Sequence, residues 1–245
     1  MAIDMKKMRA KYNSLKSGGS DGNFWKPKDG DQVVRILTPP DNDPFRMYWF
    51  YYNLDKKPVL CPKRNFGDHS PVLDFASKLW SEGTPDSTKM AKDLFPKQRF
   101  FSPVIVRGEE EAGIRIWGYS KTVYEKLLGW VLDKDIGDIT DIDTGIDINL
   151  NYGKPPGNLY PVTKIELKRK ASPLSSGGKG EVSKLLDTMP DFDALFERKS
   201  TEDVQELLDR YMSGMEDKKE VEYTSTDSTT EATSEVDKAF EEFSK

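Results

Sequence analysis

The chain has 245 residues, 36% of them hydrophobic and 32% charged, and a formal net charge of −5. That is enough for one sizeable domain with polar appendages. A single cysteine excludes a disulfide framework, and with only one histidine beside it little material remains for nucleophilic catalysis.

In chain order, residues 1–20 form a basic N-terminal arm. Met5, Met8, Tyr12 and Leu15 fall at helical spacing, and Lys6, Lys7, Arg9 and Lys11 lie around them. The arm lacks the apolar run of a secretory signal, and no later stretch approaches the ~18 apolar residues of a membrane span. "KSGGSDG" breaks the pattern and leads into a body over 21–175. "DGDQVVRILTPP" predicts a strand from Gln32 to Leu37, stopped by Pro39 and Pro40. "FRMYWFYYNL" predicts a second strand. Within 61–96 the period changes, and "PVLDFASKLW" and "STKMAKDLF" predict two short helices as an insert. "KQRFFSPVIVRG" and "GIRIWGYS" return to strand, and "KTVYEKLLGWVLD" predicts a helix with Val123, Leu127 and Trp130 or Val131 on one face. "TGIDINLNYGK" and "LYPVTKIELKRK" predict a closing hairpin around "KPPGN". Short strands and few helices make the expected fold mainly β: an OB-like five-stranded barrel with a small helical subdomain. A generic α+β sandwich is the alternative.

Residues 176–213 read as a linker and helical segment, with "SKLLDTM", "DFDALFE" and "STEDVQELLDRYM" as its helices. Ser200 and Thr201 ahead of Glu202 and Asp203 mark a helix start. Residues 214–245 lack apolar periodicity and predict a disordered acidic tail, ending in a small amphipathic motif of Val236, Phe240 and Phe243. Charge respects this division. Residues 1–180 carry 29 basic and 23 acidic side chains, a net of +6, whereas 181–245 carry 8 and 19, a net of −11. A basic body with an acidic tail fits a polyanion-binding surface and a segment able to compete for it.

Residues 45–54 hold six aromatics in their first eight positions, with Arg46 among them. A strand sends Phe45, Met47, Trp49 and Tyr51 to one face, the expected core, and Arg46, Tyr48, Phe50 and Tyr52 to the other. Basic and aromatic residues interleave again at Lys97, Arg99, Phe100 and Phe101, at Arg115, Trp117, Tyr119 and Lys121, and at Tyr160, Lys164, Lys168, Arg169 and Lys170. Rings stack on any base and cations track the phosphates, so this recurrence points to single-stranded nucleic acid. The candidate DNA-binding rings are Tyr48, Phe50, Tyr52, Phe101, Trp117 and Tyr119. The candidate phosphate partners are Arg35, Arg46, Lys63, Arg64, Lys97, Arg99, Arg115, Lys121, Lys168, Arg169 and Lys170.

Four stretches carry a family resemblance: "GDQVVRILTPP", "LCPKRNFGDHSPVLDF", "RFFSPVIVRGEEEAGIRIWGYSKTVYEKLLGWV" and "DIGDITDIDTGIDINL". In this order they resemble the single-stranded DNA-binding (helix-destabilising) proteins of tailed phages of the T-even type. The resemblance implies an OB fold with a helical insert and cooperative, sequence-independent binding in viral DNA replication, recombination and repair. It implies self-association through the arm (Lys6, Lys7, Arg9, Lys11), recruitment of replication and recombination proteins by the tail (Val236, Phe240, Phe243), and the cytoplasm of an infected bacterium. The alternative is an RNA-binding or protein-interaction module without a replication role.

The family's insert often holds zinc through one histidine and three cysteines. Here Cys61 and His69 supply only two of the four N or S ligands a structural zinc takes, and the expected Cys-Pro-x-Cys pair reads Ser70-Pro71-Val72-Leu73. No metal or other cofactor is therefore expected. "SSGGKGE" lacks the spacing of a phosphate loop. Asp138, Asp141, Asp143 and Asp147 lack the glycine and bidentate glutamate of a calcium loop. No catalytic residue is assigned, and the chain is not expected to be an enzyme.

Overall fold

A computed structural model of the chain describes residues 24–175, 178–192 and 195–216. The basic arm and all of the tail beyond 216 lie outside these residues. The elements in order are β1 (Phe24–Trp25), β2 (Gly30–Ile36), β3 (Arg46–Tyr51), β4 (Val59–Leu60), α1 (Pro62–Phe66), α2 (Pro71–Glu82), α3 (Pro85–Leu94) and β5 (Lys97–Val106). Next come β6 (Arg115–Tyr119), α4 (Lys121–Leu132), β7 (Ile146–Gly153), β8 (Val162–Ala171), α5 (Lys179–Leu186) and α6 (Thr201–Glu216). No helix among the described residues is long and apolar enough to cross a membrane. The elements divide into two compact units, one from residues up to Met47 and Arg99–Phe196, the other from Tyr48–Gln98 and Glu197 onward.

The first unit is a mixed open sheet in the order β1-β6-β5-β2-β7-β8. Strand β1 is parallel to β6. The other neighbours are antiparallel. Alternation along each strand sorts the side chains into two layers. Val34, Ile36, Phe100, Val104, Trp117, Tyr119, Ile148, Leu150 and Ile165 build the main core, which α4 closes with Val123 and Leu127. At ~1.5–3 kcal/mol per buried large apolar side chain, this layer is the unit's chief source of stability.

The opposite face of the same sheet is also covered. Leu37, Ile105 and Ile114 pack there with Leu174, and Val182, Leu185, Leu186 and Met189 lie against them. Residues 172–175 and α5, where composition marks a linker, thus cover the sheet. This explains why "FFSPVIV" in β5 is buried at every position rather than at alternate ones. The cover is tied down at its start by two guanidiniums. Arg35 donates to Ser172 O (2.6 Å), Ser172 Oγ (2.8 Å) and Asp141 O (3.1 Å). Arg107 donates to Leu174 O (2.7 Å) and Pro173 O (3.0 Å). Both also pair with Asp147, at 2.8 and 3.0 Å. A side chain at Gly145 would run into Asp141 O, Arg35 Nη1 and Ile139 O, so glycine is required where the chain passes this cluster.

The second unit combines the antiparallel β3–β4 pair with α1, α2, α3 and α6. Its core joins Tyr51, Leu54, Val59, Cys61, Val72, Ala76, Leu79, Ala91 and Leu94 to Val204, Leu207 and Leu208 of α6. Helix α6 therefore belongs with the insert. Helix α2 starts on Pro71 and stops at Gly83, whose φ of 69° is left-handed. Helix α3 has a capping box of Thr84 and Ser87. The predicted start of α6 has the same device. Asp203 N donates to Ser200 Oγ and Ser200 N to Asp203 Oδ2, each at 3.1 Å. The described residues of "DFDALFE" form no α-helix, contrary to expectation, and Phe192 and Leu195 are buried.

Candidate nucleic-acid interface

The alternation expected for residues 45–52 holds only in part. Phe45 packs on Tyr124 at 6.4 Å, but Met47, expected in the core, is 47% exposed. Trp49 is half-buried under Arg64, whose Cζ lies 4.9 Å from the ring centroid. Of the other face, Tyr48 and Tyr52 are half-buried and lie 6.3 and 6.1 Å from Phe50, which is itself buried.

Several rings expected on the surface are core instead. Trp117 and Tyr119 point into the main core, where Trp117 meets Trp25 edge-on at 6.3 Å. Tyr119 shares a 2.7 Å hydrogen bond with Ser102, and burial raises its pKa. The β6 register places Trp117 opposite Ser102 on β5, so its side chain shares the core layer with Phe100 and Val104. Phe50 is 2% exposed, and no base can reach its face in this arrangement. Arg35 is also withdrawn, being fully buried on Asp147. Burial lowers its pKa and the Asp147 carboxylate raises it.

The remaining cations divide by what they already hold. Arg115 pairs with Glu109 at 2.7 Å, and Lys28 reaches the same carboxylate at 3.0 Å. Those two partners hold Glu109 below its ordinary pKa. Arg46 pairs with Asp41 and lies 3.6 Å from Asp43, and its buried Nε has no hydrogen-bond partner. Lys121 is half-buried at the first turn of α4, and Lys63, Lys97 and Arg99 are exposed. Strand β8 ends the sheet path, so one of its edges faces no other strand of that path. It carries exposed Lys164, Arg169 and Lys170, with Lys168 4.0 Å from Asp147. Just before it, at the hairpin tip, Leu159 and Tyr160 are 68% and 60% exposed.

Phe101 is the ring of the predicted set with an unforeseen setting. It lies on the covered face of β5, opposite Gly118 of β6. A Cβ at Gly118 would stand 2.9 Å from the Phe101 ring, so glycine lets the ring lie against the strand. Phe24 meets it edge-on at 6.0 Å, and Phe196 covers it at 5.2 Å. Phe24 and Phe196 were not singled out by sequence. Phe24 adjoins Trp25 at the start of the body and Phe196 lies in "DFDALFE", about twenty residues past its end, and neither setting signals that they pair across the sheet.

Cys61 and His69 are held by different partners. Cys61 is fully buried, with its sulfur 3.1 Å from the Tyr51 hydroxyl, which also bonds Ser70 Oγ at 2.7 Å. Burial drives the Tyr51 pKa upward. His69 is exposed and pairs with Asp74 at 2.8 Å. Among the described residues no group of three or more His, Cys, Asp or Glu could hold a metal ion.

The chain matches no protein-family model and no curated protein sequence.

Proposed function

We propose that the chain is a non-enzymatic protein that coats single-stranded DNA without regard to sequence, in viral DNA replication, recombination and repair. The observation that carries this reading is the exposed basic strand β8. It presents Lys164, Arg169 and Lys170 directly after an exposed Tyr160, in a chain whose net charge is negative. Cations in a row track a phosphate backbone, and an exposed ring beside them accepts any base. The order of the five long strands, β6-β5-β2-β7-β8, with α4 between β6 and β7, supports the OB-like reading. Closing that path between β6 and β8 would give a five-stranded barrel, the architecture that binds oligonucleotides on its sheet face and loops.

In this reading the arm residues Lys6, Lys7, Arg9 and Lys11 serve self-association, and Val236, Phe240 and Phe243 recruit replication and recombination proteins in the infected bacterial cytoplasm. The protein needs no cofactor. Arg35, Phe50, Trp117 and Tyr119 drop out of the proposed contact set, Arg46, Tyr48, Tyr52, Lys63, Arg64, Lys97, Arg99, Phe101, Arg115, Lys121, Lys168, Arg169 and Lys170 stay in it, and Lys164 joins them. The test is fluorescence anisotropy of labelled oligo(dT) at several salt concentrations. Saturable binding that weakens steeply with salt, and equal affinity for mixed-sequence strands, is expected. No binding at low salt refutes the function, and tighter binding to unstructured RNA moves it to the RNA reading.

A further inference from the structure

The segment that covers the second sheet face is fastened differently along its length. Its start is held by the guanidiniums of Arg35 and Arg107 on the carbonyls of Ser172, Pro173 and Leu174. Its middle is held by apolar packing around Ile114 and by the Ile114 N–H donating to Thr188 Oγ1 at 3.2 Å. At its end, Phe196 lies 5.2 Å from Phe101 and 5.7 Å from Phe24, and Phe192 lies under Arg46, 5.4 Å from its Cζ. A ring cluster resting on an exposed glycine, with an arginine at the far end of the same short segment, is the equipment that binds a nucleotide: a stacking platform and a cation for its phosphate. Arg46 suits that role, since its partners Asp41 and Asp43 are about half exposed and a backbone phosphate, with one negative charge, can take the place of one of these carboxylates.

We infer that Phe24 and Phe101, lying against Gly118, form a stacking subsite for one nucleobase, and that Phe196 occupies it in the free protein. Single-stranded DNA takes the place of Phe196, and Phe192 leaves Arg46 as phosphate arrives. This inference rests on the function proposed above and adds a named site and an internal competitor for it. Such a competitor lowers apparent affinity by the fraction of molecules in which the site is closed.

Two measurements on the full chain test it. The first is the affinity of Phe196→Ala for labelled oligo(dT). Removal of the competing ring should tighten binding about two- to tenfold, the factor one aromatic pair supplies. The second keeps all the rings. Leu195 is 5% exposed on the same segment, and the native Cys61 is fully buried, so Leu195→Cys introduces one reportable thiol. Its reaction with a thiol reagent should accelerate at least several-fold when oligo(dT) saturates the protein. Unchanged or weaker binding by Phe196→Ala, or thiol reactivity that oligo(dT) leaves unchanged or slows, overturns the subsite while leaving single-strand binding by the wild type intact. Failure of the wild type to bind oligo(dT) overturns the function and the subsite together.

Discussion

Replacing Lys164, Arg169 and Lys170 together with glutamine separates two explanations of a charged edge strand. Lysine on an edge is also a device against edge-to-edge pairing, and in that role it needs no ligand. If instead the three track a backbone, each neutralised phosphate contributes about 0.7 to the slope of log affinity against log salt for a single strand. Three exposed cations lost from β8 then reduce the slope by about 2. Over a fourfold rise in salt the wild type loses roughly 20-fold more affinity than the variant, and the two converge at high salt. Their side chains are exposed and Ile165 alone of β8 is buried, so the variant keeps its fold. The assay is oligo(dT) anisotropy at four or more salt concentrations, with a thermal melt of each protein as control. A folded variant with the wild-type slope refutes the phosphate role, and new self-association at that unchanged slope would assign the lysines to edge protection.

Arg35→Met should act on stability rather than on binding. It leaves the buried Asp147 carboxylate to Arg107 and frees Ser172, and breaking a buried pair from one side costs about 3–5 kcal/mol. Denaturant melts measure this, and lost DNA affinity at unchanged stability would contradict the assignment. Ser200→Ala removes the acceptor for Asp203 N and should cost α6 about 1 kcal/mol, read by the same melts. Asp141 accepts from the Thr144 N–H and hydroxyl and from the Asp143 N–H, which hold its pKa below the ordinary value. Its contribution to stability is therefore present above the usual Asp value of about 3.9 and is lost as pH falls through the lower folded value. Asp141→Asn should flatten the acid side of the stability profile at that window. An unaltered profile would show that those bonds are not coupled to folding.

Alternating and helical periods placed β2, β5, β6, β7, β8, α2, α3, α4 and α6 close to their observed bounds, because each is long enough for its apolar period to repeat. The two-residue strands β1 and β4, and α1 with little more than one helical turn, offer no repeat to read. The greater difficulty was direction. An aromatic or basic residue on the non-core side of a strand reads as exposed only if nothing covers that side. Here the cover is built by Leu174 and by α5, in and just after "SPLSSGGKG". Its glycines and serines signal a linker, and its fixing points are guanidiniums far away in sequence. One signal was available. "QVVRIL" and "GIDINL" are apolar strands with a single interior charge each, of opposite sign. Two such strands satisfy each other inside the protein when they pair, as β2 and β7 do. A cation within an otherwise apolar run is better matched to an internal carboxylate than to a phosphate, since burial of an unpaired charge is costly.

The same reasoning runs the other way for the rings. Phe100 and Phe101 are adjacent and equally apolar, yet the pleat sends Phe100 into the main core, stacked on Tyr124 at 4.1 Å, and Phe101 to the face that the chain covers with its own Phe196. Composition cannot separate a ring that is buried for good from one that is buried by a replaceable partner. What separates them is the fastening. Trp117 sits among strands and α4, so exposing it requires the core to open, whereas exposing Phe101 requires movement of the segment that carries Phe192 and Phe196, beyond the fastening at Thr188. Local opening is far less costly than global unfolding, so a site for a stacking base can exist at Phe101 and cannot exist at Trp117 while the fold persists.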